Sequence, residues 1–265
     1  HYIVSMNKEK QEQMKNSSLY YSVGPLLYCP ANSESLCGSL IHQMFGTGYS
    51  LALCLEDTIQ DSWVQAAENT LIHTLTALHK EKRSSDFFLP KIFIRVRNPQ
   101  QIKSLLDRLG DACGLAAGFI LPKFSEDNAD EYLKQIEDVN KMYGWDIFAM
   151  PILESPSIIN LKDRYRILYS LKEKLDDAER LILNVRVGGN DLCHAFGIRR
   201  RADECIHDIS PVADIFSDII TIYGMDYVVS GPVWEYYSGN GWKTGLIDEL
   251  KRDRLCGFIG KTVIH

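Results

Sequence analysis

The chain has 265 residues, 45% of them hydrophobic and 24% charged, a balance that fits a folded domain rather than a disordered polymer. A formal net charge of −6 leaves no basic stripe for nucleic acid, and no apolar stretch approaches the ~20 residues of a membrane span. Residues 1–18 are hydrophilic and lack a signal-peptide core, so they are expected to form a polar leader before a single domain over 19–265.

The seven cysteines are dispersed without a CxxC pair, which suits a reducing cytoplasm better than a disulfide framework. The seven histidines have no ligand spacing, which argues against a structural zinc site.

In chain order, apolar runs predict strands over 26–29, 51–55, 91–96, 117–121, 147–153, 181–187, 226–230 and 256–259. The first and last starts lie 230 residues apart over seven intervals, about 33 residues per unit, the length of a strand–helix repeat. Helical spacing fills the gaps. Trp63, Ala66, Ala67, Thr70, Leu71, Thr74, Leu75 and Leu78 share one face of the second helix, with Asp61 as its expected N-cap. Tyr132, Ile136 and Val139 mark the fourth, after Ser125 as N-cap, and Leu161, Tyr165, Leu168 and Leu171 the fifth. Ile209, Val212, Ile215, Phe216, Ile219, Ile220 and Tyr223 mark the sixth, and Gly144 and Gly224 are expected helix stops. Strict alternation predicts an α/β fold with a parallel sheet, and eight units predict closure into a TM-type (β/α)8 architecture, the TIM barrel. The eighth helix would follow Lys261 and is expected to be absent or to lie beyond the given chain.

Functional side chains in such a barrel gather at the C-terminal ends of the strands. The runs end in Glu56 and Asp57, Arg95, Lys123, Glu154 and, after the sixth strand, Asp191. Glu154 and Asp191 would follow adjacent strands and share one cation; all-oxygen ligation fits Mg²⁺, with Mn²⁺ as the alternative. The plainer reading makes Glu154 a helix N-terminal acid and Asp191 a turn residue. Arg95 can grip a carboxylate or polarise a keto oxygen, and Arg97 would point the same way by strand alternation. Their plainer role is a salt bridge to Glu56 or Asp57. One acid of that pair can support the site and the other cap the next helix. Lys123 can hold an anionic group or be a solvated loop lysine. Arg199, Arg200 and Arg201 can bind an anion at the mouth or form a solvated face. Trp234, Tyr236, Tyr237 and Trp242 can wall a pocket or form an oligomer contact. His194 and His207 have no recognisable partner and read as structural.

Seven motifs in this order resemble the citrate lyase β-chain and malyl-CoA lyase group, the HpcH/HpaI aldolase family, and within it a divergent C–C bond lyase subgroup. Leu27-Tyr28-Cys29-Pro30-Ala31 is similar to that family's opening LFVPG, Leu53-Cys54-Leu55-Glu56-Asp57 to LDLED, and Ile94-Arg95-Val96 to VRVN, with Arg97 in place of its asparagine. Leu121-Pro122-Lys123 is similar to LPK, Ile152-Leu153-Glu154-Ser155-Pro156 to ALIET, Gly189-Asn190-Asp191-Leu192 to GxEDL, and the ending from Gly260 to His265 to GKxxIHP. The resemblance implies a magnesium-dependent lyase on a TIM barrel, with the metal on Glu154 and Asp191. Arg95 would lie on the substrate oxygens, and Glu56 or Asp57 would support the site. Ser22-Val23-Gly24 stands where the family carries an arginine for substrate or CoA, which puts use of a CoA thioester in doubt.

The expected function is therefore a Mg²⁺-dependent aldol- or Claisen-type lyase. It would act through a metal-stabilised enolate on a 2-oxo acid such as oxaloacetate, pyruvate or glyoxylate, or on its hydroxyacyl adduct. Glu56, Asp57 and Arg95 are the expected catalytic residues, and Lys123, Arg97, Arg199 and Trp234 the expected substrate contacts. A homo-oligomer that engages neither nucleic acid nor membrane is expected. The alternatives are a metal-free hydrolase using a carboxylate pair, or a degenerate barrel serving as a binding partner in a multi-protein pathway.

Overall fold

The computed structural model describes residues 17–265, so the leader expected over 1–18 lies, apart from its last two residues, outside the described residues. Eight parallel strands close into a barrel in chain order. They are β1 (Pro25–Pro30), β2 (Ser50–Cys54), β3 (Ile92–Arg95), β4 (Ala116–Leu121), β5 (Phe148–Leu153), β6 (Val185–Val187), β7 (Val229–Trp234) and β8 (Lys261–Val263). Nine helices occur among the described residues: α1 (Ser18–Tyr21), α2 (Leu36–Ile41), α3 (Val64–Lys82), α4 (Gln100–Leu109), α5 (Ala129–Tyr143), α6 (Leu161–Asp177), α7 (Gly189–Ala195), α8 (Ser210–Tyr223) and α9 (Trp242–Cys256). Among the described residues no helix is long and apolar enough to cross a membrane.

Strand alternation divides the core in two. Leu26, Ala52, Phe93, Ile120, Met150 and Ile152 fill the lumen, while Leu27, Leu51, Ile94, Phe119 and Leu153 pack outward against the helices. The helices answer with their periodic faces: Ala67, Leu71, Leu75 and Leu78 of α3 are fully buried, as are Leu168 and Leu171 of α6. Each large apolar side chain withdrawn from water contributes roughly 1.5–3 kcal/mol, so this pattern outweighs local propensity.

Several boundaries differ from the sequence reading for local reasons. Trp63 is 61% exposed because it ends a 3₁₀ turn, Asp61–Trp63, before α3 begins. Asp61 therefore caps nothing and pairs with Arg97 instead. Ser125 lies one turn too early to cap α5; Asn128 precedes that helix and its Oδ1 accepts from the Ser125 amide at 3.0 Å. Gly144 does close α5 in the left-handed region, at φ +68°. The start of the sixth predicted strand is a 3₁₀ turn, Glu179–Leu181.

The largest correction concerns the eighth strand, expected over 256–259. Cys256 is the last residue of α9, and the strand forms only from Lys261. Gly257 and Gly260, at φ +97° and +77°, bend the intervening apolar run into a connection.

Candidate active site

The mouth of the barrel is assembled around Arg95, the last residue of β3 and in register with Cys54 of β2. Its side chain is buried, and Nη2 alone faces three carboxylates: Glu56 Oε2 at 2.6 Å, Asp57 Oδ2 at 2.8 Å and Glu154 Oε1 at 3.2 Å. Burial opposes the charge on the guanidinium, but these three acids outweigh it and hold Arg95 firmly protonated. Lys123 Nζ reaches the same acids, pairing with Glu56 and lying 3.2 Å from Asp57 Oδ1. Burial pushes the Glu56 carboxyl up, and Arg95 and Lys123 only partly offset it. Asp57 is held down instead: burial acts against it, but Arg95 and its hydrogen bond to Glu56 prevail.

Lys123 contributes through its backbone as well. Its φ of +49° places a non-glycine residue in the left-handed region, and in that conformation its amide donates to Glu154 Oε1 at 3.0 Å. Glu154 is only 4% exposed, with one oxygen taken by Arg95 and the Lys123 amide. The other oxygen lies over Gly188, where a Cβ would come within 2.1 Å of Oε2. Asp191, in the first turn of α7, stands within hydrogen-bond reach of the Glu154 carboxyl. Burial pushes Glu154 up to about 8, and Asp191 adds to the rise against the pull of Arg95.

Four carboxyls, Glu56, Asp57, Glu154 and Asp191, thus share the mouth with two cations, Arg95 and Lys123. Among the described residues no group of three or more His, Cys, Asp or Glu is arranged to hold a metal. A two-carboxylate site nevertheless fits Mg²⁺, which retains several waters and binds through one or two protein oxygens. The same closeness disfavours the hydrolase alternative, since acid and base carboxyls flanking a glycosidic bond stand at least ~5 Å apart.

Other predicted residues are placed elsewhere. Because β3 ends at Arg95, Arg97 leaves the strand alternation and turns into the loop after β2. There its Nη1 donates to the carbonyls of Leu55 at 3.2 Å, Glu56 at 3.3 Å and Ile59 at 3.0 Å. It staples the loop that carries Glu56 and Asp57 rather than facing the mouth. Trp234 is also withdrawn. It pairs with Val263 on the outward alternation, is 2% exposed, and lies beneath the Arg200 guanidinium, 4.9 Å from its ring centroid.

The arginine triplet disperses. Arg199 is exposed and 3.4 Å from Glu235, Arg200 is buried against Glu249, and Arg201 pairs with Asp203 at 3.2 Å. A cleft of about 290 Å³ bordered by Asn190, Asp191, His194, Arg199 and Glu235 adjoins the mouth. A larger cavity of about 660 Å³ lies between α5 and α6, away from these residues. His207 has a partner after all: its Nε2 is 2.7 Å from Asp253 Oδ1, within a buried ion network that also joins Arg200, Glu249 and Lys261.

Three site features escaped the sequence reading. Tyr28 lies under Arg95, whose guanidinium carbon is 5.9 Å from the ring centroid. Gly188 forms the floor under Glu154, and Arg186 lies inside the barrel. The available signal was a charge in the middle of an apolar strand, since arginine is almost never fully buried unless paired.

The model of a family described as C–C bond lyase of the TIM-barrel fold matches residues 17–265. No curated protein matches the sequence. Among solved structures, the chain is similar to a citrate lyase β subunit from M. tuberculosis complexed with oxaloacetate and magnesium, at 16% identity and TM-score 0.60 over 94% of each chain. It is similar to CitE from Mycobacterium tuberculosis in complex with magnesium, acetoacetate and coenzyme A, at 16% identity and TM-score 0.61, covering 93% of this chain and 78% of that one. RipC from Yersinia pestis gives 16% identity and TM-score 0.57, with 93% and 91% covered. At such identities the structural likeness speaks for the fold.

Proposed function

Because the chain belongs to the family of C–C bond lyases of the TIM-barrel fold, we propose that it breaks or forms a carbon–carbon bond in a 2-oxo acid, or in its hydroxyacyl adduct, with Mg²⁺ on Glu154 and Asp191. The observation that carries this reading is the buried Glu154 carboxyl, with one oxygen fixed by Arg95 and Lys123 and Asp191 beside it. Magnesium with oxaloacetate or with pyruvate is named for solved relatives, which supports the same ligand class.

Mg²⁺, when bound, supplies Lewis-acid stabilisation of negative charge on oxygen. The residues supply the rest. Arg95 directs positive charge toward the keto or carboxylate oxygen, and its Nε is buried without a partner and free to donate. Held by Glu56, Asp57 and Glu154, the guanidinium is oriented before the substrate arrives. Lys123 fixes the two acids after β2 and remains protonated, so it acts as a cation rather than a base. Glu56, pushed up by burial, is the member of this cluster best suited to carry a proton to or from the α-carbon. Coenzyme A is named for one relative, but residues 22–24 carry no cation here, so the free acid is the proposed substrate.

Titration with Mg²⁺ followed by calorimetry tests the reading, with turnover of oxaloacetate and of aldol adducts of pyruvate or glyoxylate as the second readout. Wild type is expected to bind one Mg²⁺, and Glu154→Gln and Asp191→Asn to lose both binding and turnover. Turnover that persists in both variants would exclude the mechanism. A wild type that binds no Mg²⁺ at millimolar concentration would favour the degenerate barrel.

A further inference from the structure

Four arginines are buried among the described residues, and three of them have an acidic partner: Arg95 has Glu56, Asp57 and Glu154, Arg164 has Asp218, and Arg200 has Glu249. Arg186 has none. It is 2% exposed, its Nη2 donates to the Thr262 hydroxyl at 2.7 Å, and its Nη1 has no partner. A guanidinium withdrawn from water without a counter-ion is among the costliest arrangements a core can hold.

Its position says where a counter-ion would sit. Arg186 pairs in register with Ile152 of β5 and Ser230 of β7, and Ile152 faces the lumen. Thr262 pairs with Leu26, another lumen residue. Arg186 therefore crosses the inside of the barrel, over Ser230, toward β8. Ser230 is 1% exposed and its hydroxyl has no partner. Tyr28 lies within electrostatic reach of both Arg186 and Arg95, and burial keeps its phenol protonated, so it offers a donor rather than a negative charge. Guanidinium and hydroxyls without an acid are the lining a carboxylate needs. Arg186 precedes Gly188, the floor of Glu154, by two residues, a step of roughly 7 Å along the strand that a short dicarboxylate can span.

We propose that Arg186, with Ser230, Thr262 and Tyr28, forms an anion subsite in the barrel lumen that takes the second carboxylate of the ligand, so that the substrate is a dicarboxylic rather than a monocarboxylic oxo acid. The inference rests on the 2-oxo acid reading above and narrows it. A monocarboxylate would engage Arg95 and the cation that Glu154 and Asp191 would hold, but leave Arg186 unmatched.

Oxaloacetate and pyruvate differ by that one carboxylate, so calorimetric titration of each in the presence of Mg²⁺ is the test. Wild type is expected to bind oxaloacetate on the order of thirtyfold more tightly, the loss typical of truncating a buried charge pair. Arg186→Gln should abolish the preference while leaving pyruvate affinity unchanged, and Arg186→Lys should retain part of it. Thermal unfolding checks that each variant is folded; if the glutamine variant is not, the lysine variant and Ser230→Ala carry the comparison. A merely structural arginine would weaken both ligands alike. Equal wild-type affinities for the two acids, or a preference intact in Arg186→Gln, would overturn the subsite while leaving the magnesium and oxo-acid reading in place. Binding of neither acid would overturn that reading, and the subsite with it.

Discussion

Gly188 and Glu154 touch so closely that the carboxylate rests on bare backbone: a Cβ on Gly188 would lie 2.1 Å from Oε2 and 2.3 Å from the Glu154 Cβ. Gly188→Ala is therefore expected to push Glu154 off its two donors, the Arg95 guanidinium and the Lys123 amide. Overpacking of this kind costs about 1–3 kcal/mol of stability. Mg²⁺ affinity should fall by more than the fold suffers. Calorimetry beside thermal unfolding checks this, and unchanged affinity would show that Glu154 does not bind the cation.

Under the proposed function, the burial that pushes Glu154 up to about 8 would make Mg²⁺ binding a proton-releasing event. Below that pH the cation displaces a proton, so affinity should fall about tenfold per pH unit; above it, affinity should level off. Stability of the metal-free protein follows the same group. The folded form binds the proton more tightly than the unfolded chain does, so stability declines as pH rises from the ordinary glutamate range through about 8. Glu154→Gln should flatten that part of the stability profile in denaturant titrations.

Arg97 ties three carbonyls of the loop after β2 and pairs with Asp61. Arg97→Met is expected to cost about 1–3 kcal/mol, the usual loss when hydrogen bonds to a charged group are removed. It should lower kcat through misplaced Glu56 and Asp57 rather than raise KM. A KM effect alone would mean that Arg97 contacts substrate directly.

Glu249 is fully buried, forms ion pairs with Arg200 and with Lys261, the latter at 2.7 Å, and accepts from the Ile206 amide at 2.9 Å. Glu249→Ala leaves two buried cations without this partner, an arrangement that typically costs 3–5 kcal/mol. Denaturant midpoints should drop accordingly while Mg²⁺ affinity in the remaining folded protein stays unchanged. An equal loss of both would connect this network to the mouth.

The barrel was readable because strands buried on both faces leave continuous apolar runs, and because Glu56, Asp57, Arg95, Lys123 and Glu154 fall where those runs stop. Residues beyond a strand end were less legible. Arg97 follows the alternation only on paper, since β3 has already ended, and Trp234 faces outward because β7 continues four residues past its predicted end. The run 256–259 has a strand's composition but left-handed glycine geometry at Gly257 within it and at Gly260 after it. Arg186 was overlooked for the opposite reason. A charge inside a hydrophobic run reads as an interruption, although here it is the run's most informative residue.

The excess of acids over bases at the mouth has a consequence for the sequence of events. An oxo acid carries negative charge, and the four carboxyls, once all are ionised, outnumber Arg95 and Lys123 by two and would repel it. Under the proposed function the divalent ion would cancel that excess, leaving Arg95 and Lys123 to attract the anion. The metal would therefore load first and the organic anion second, and the anion's on-rate is expected to scale with the fraction of protein already carrying the ion.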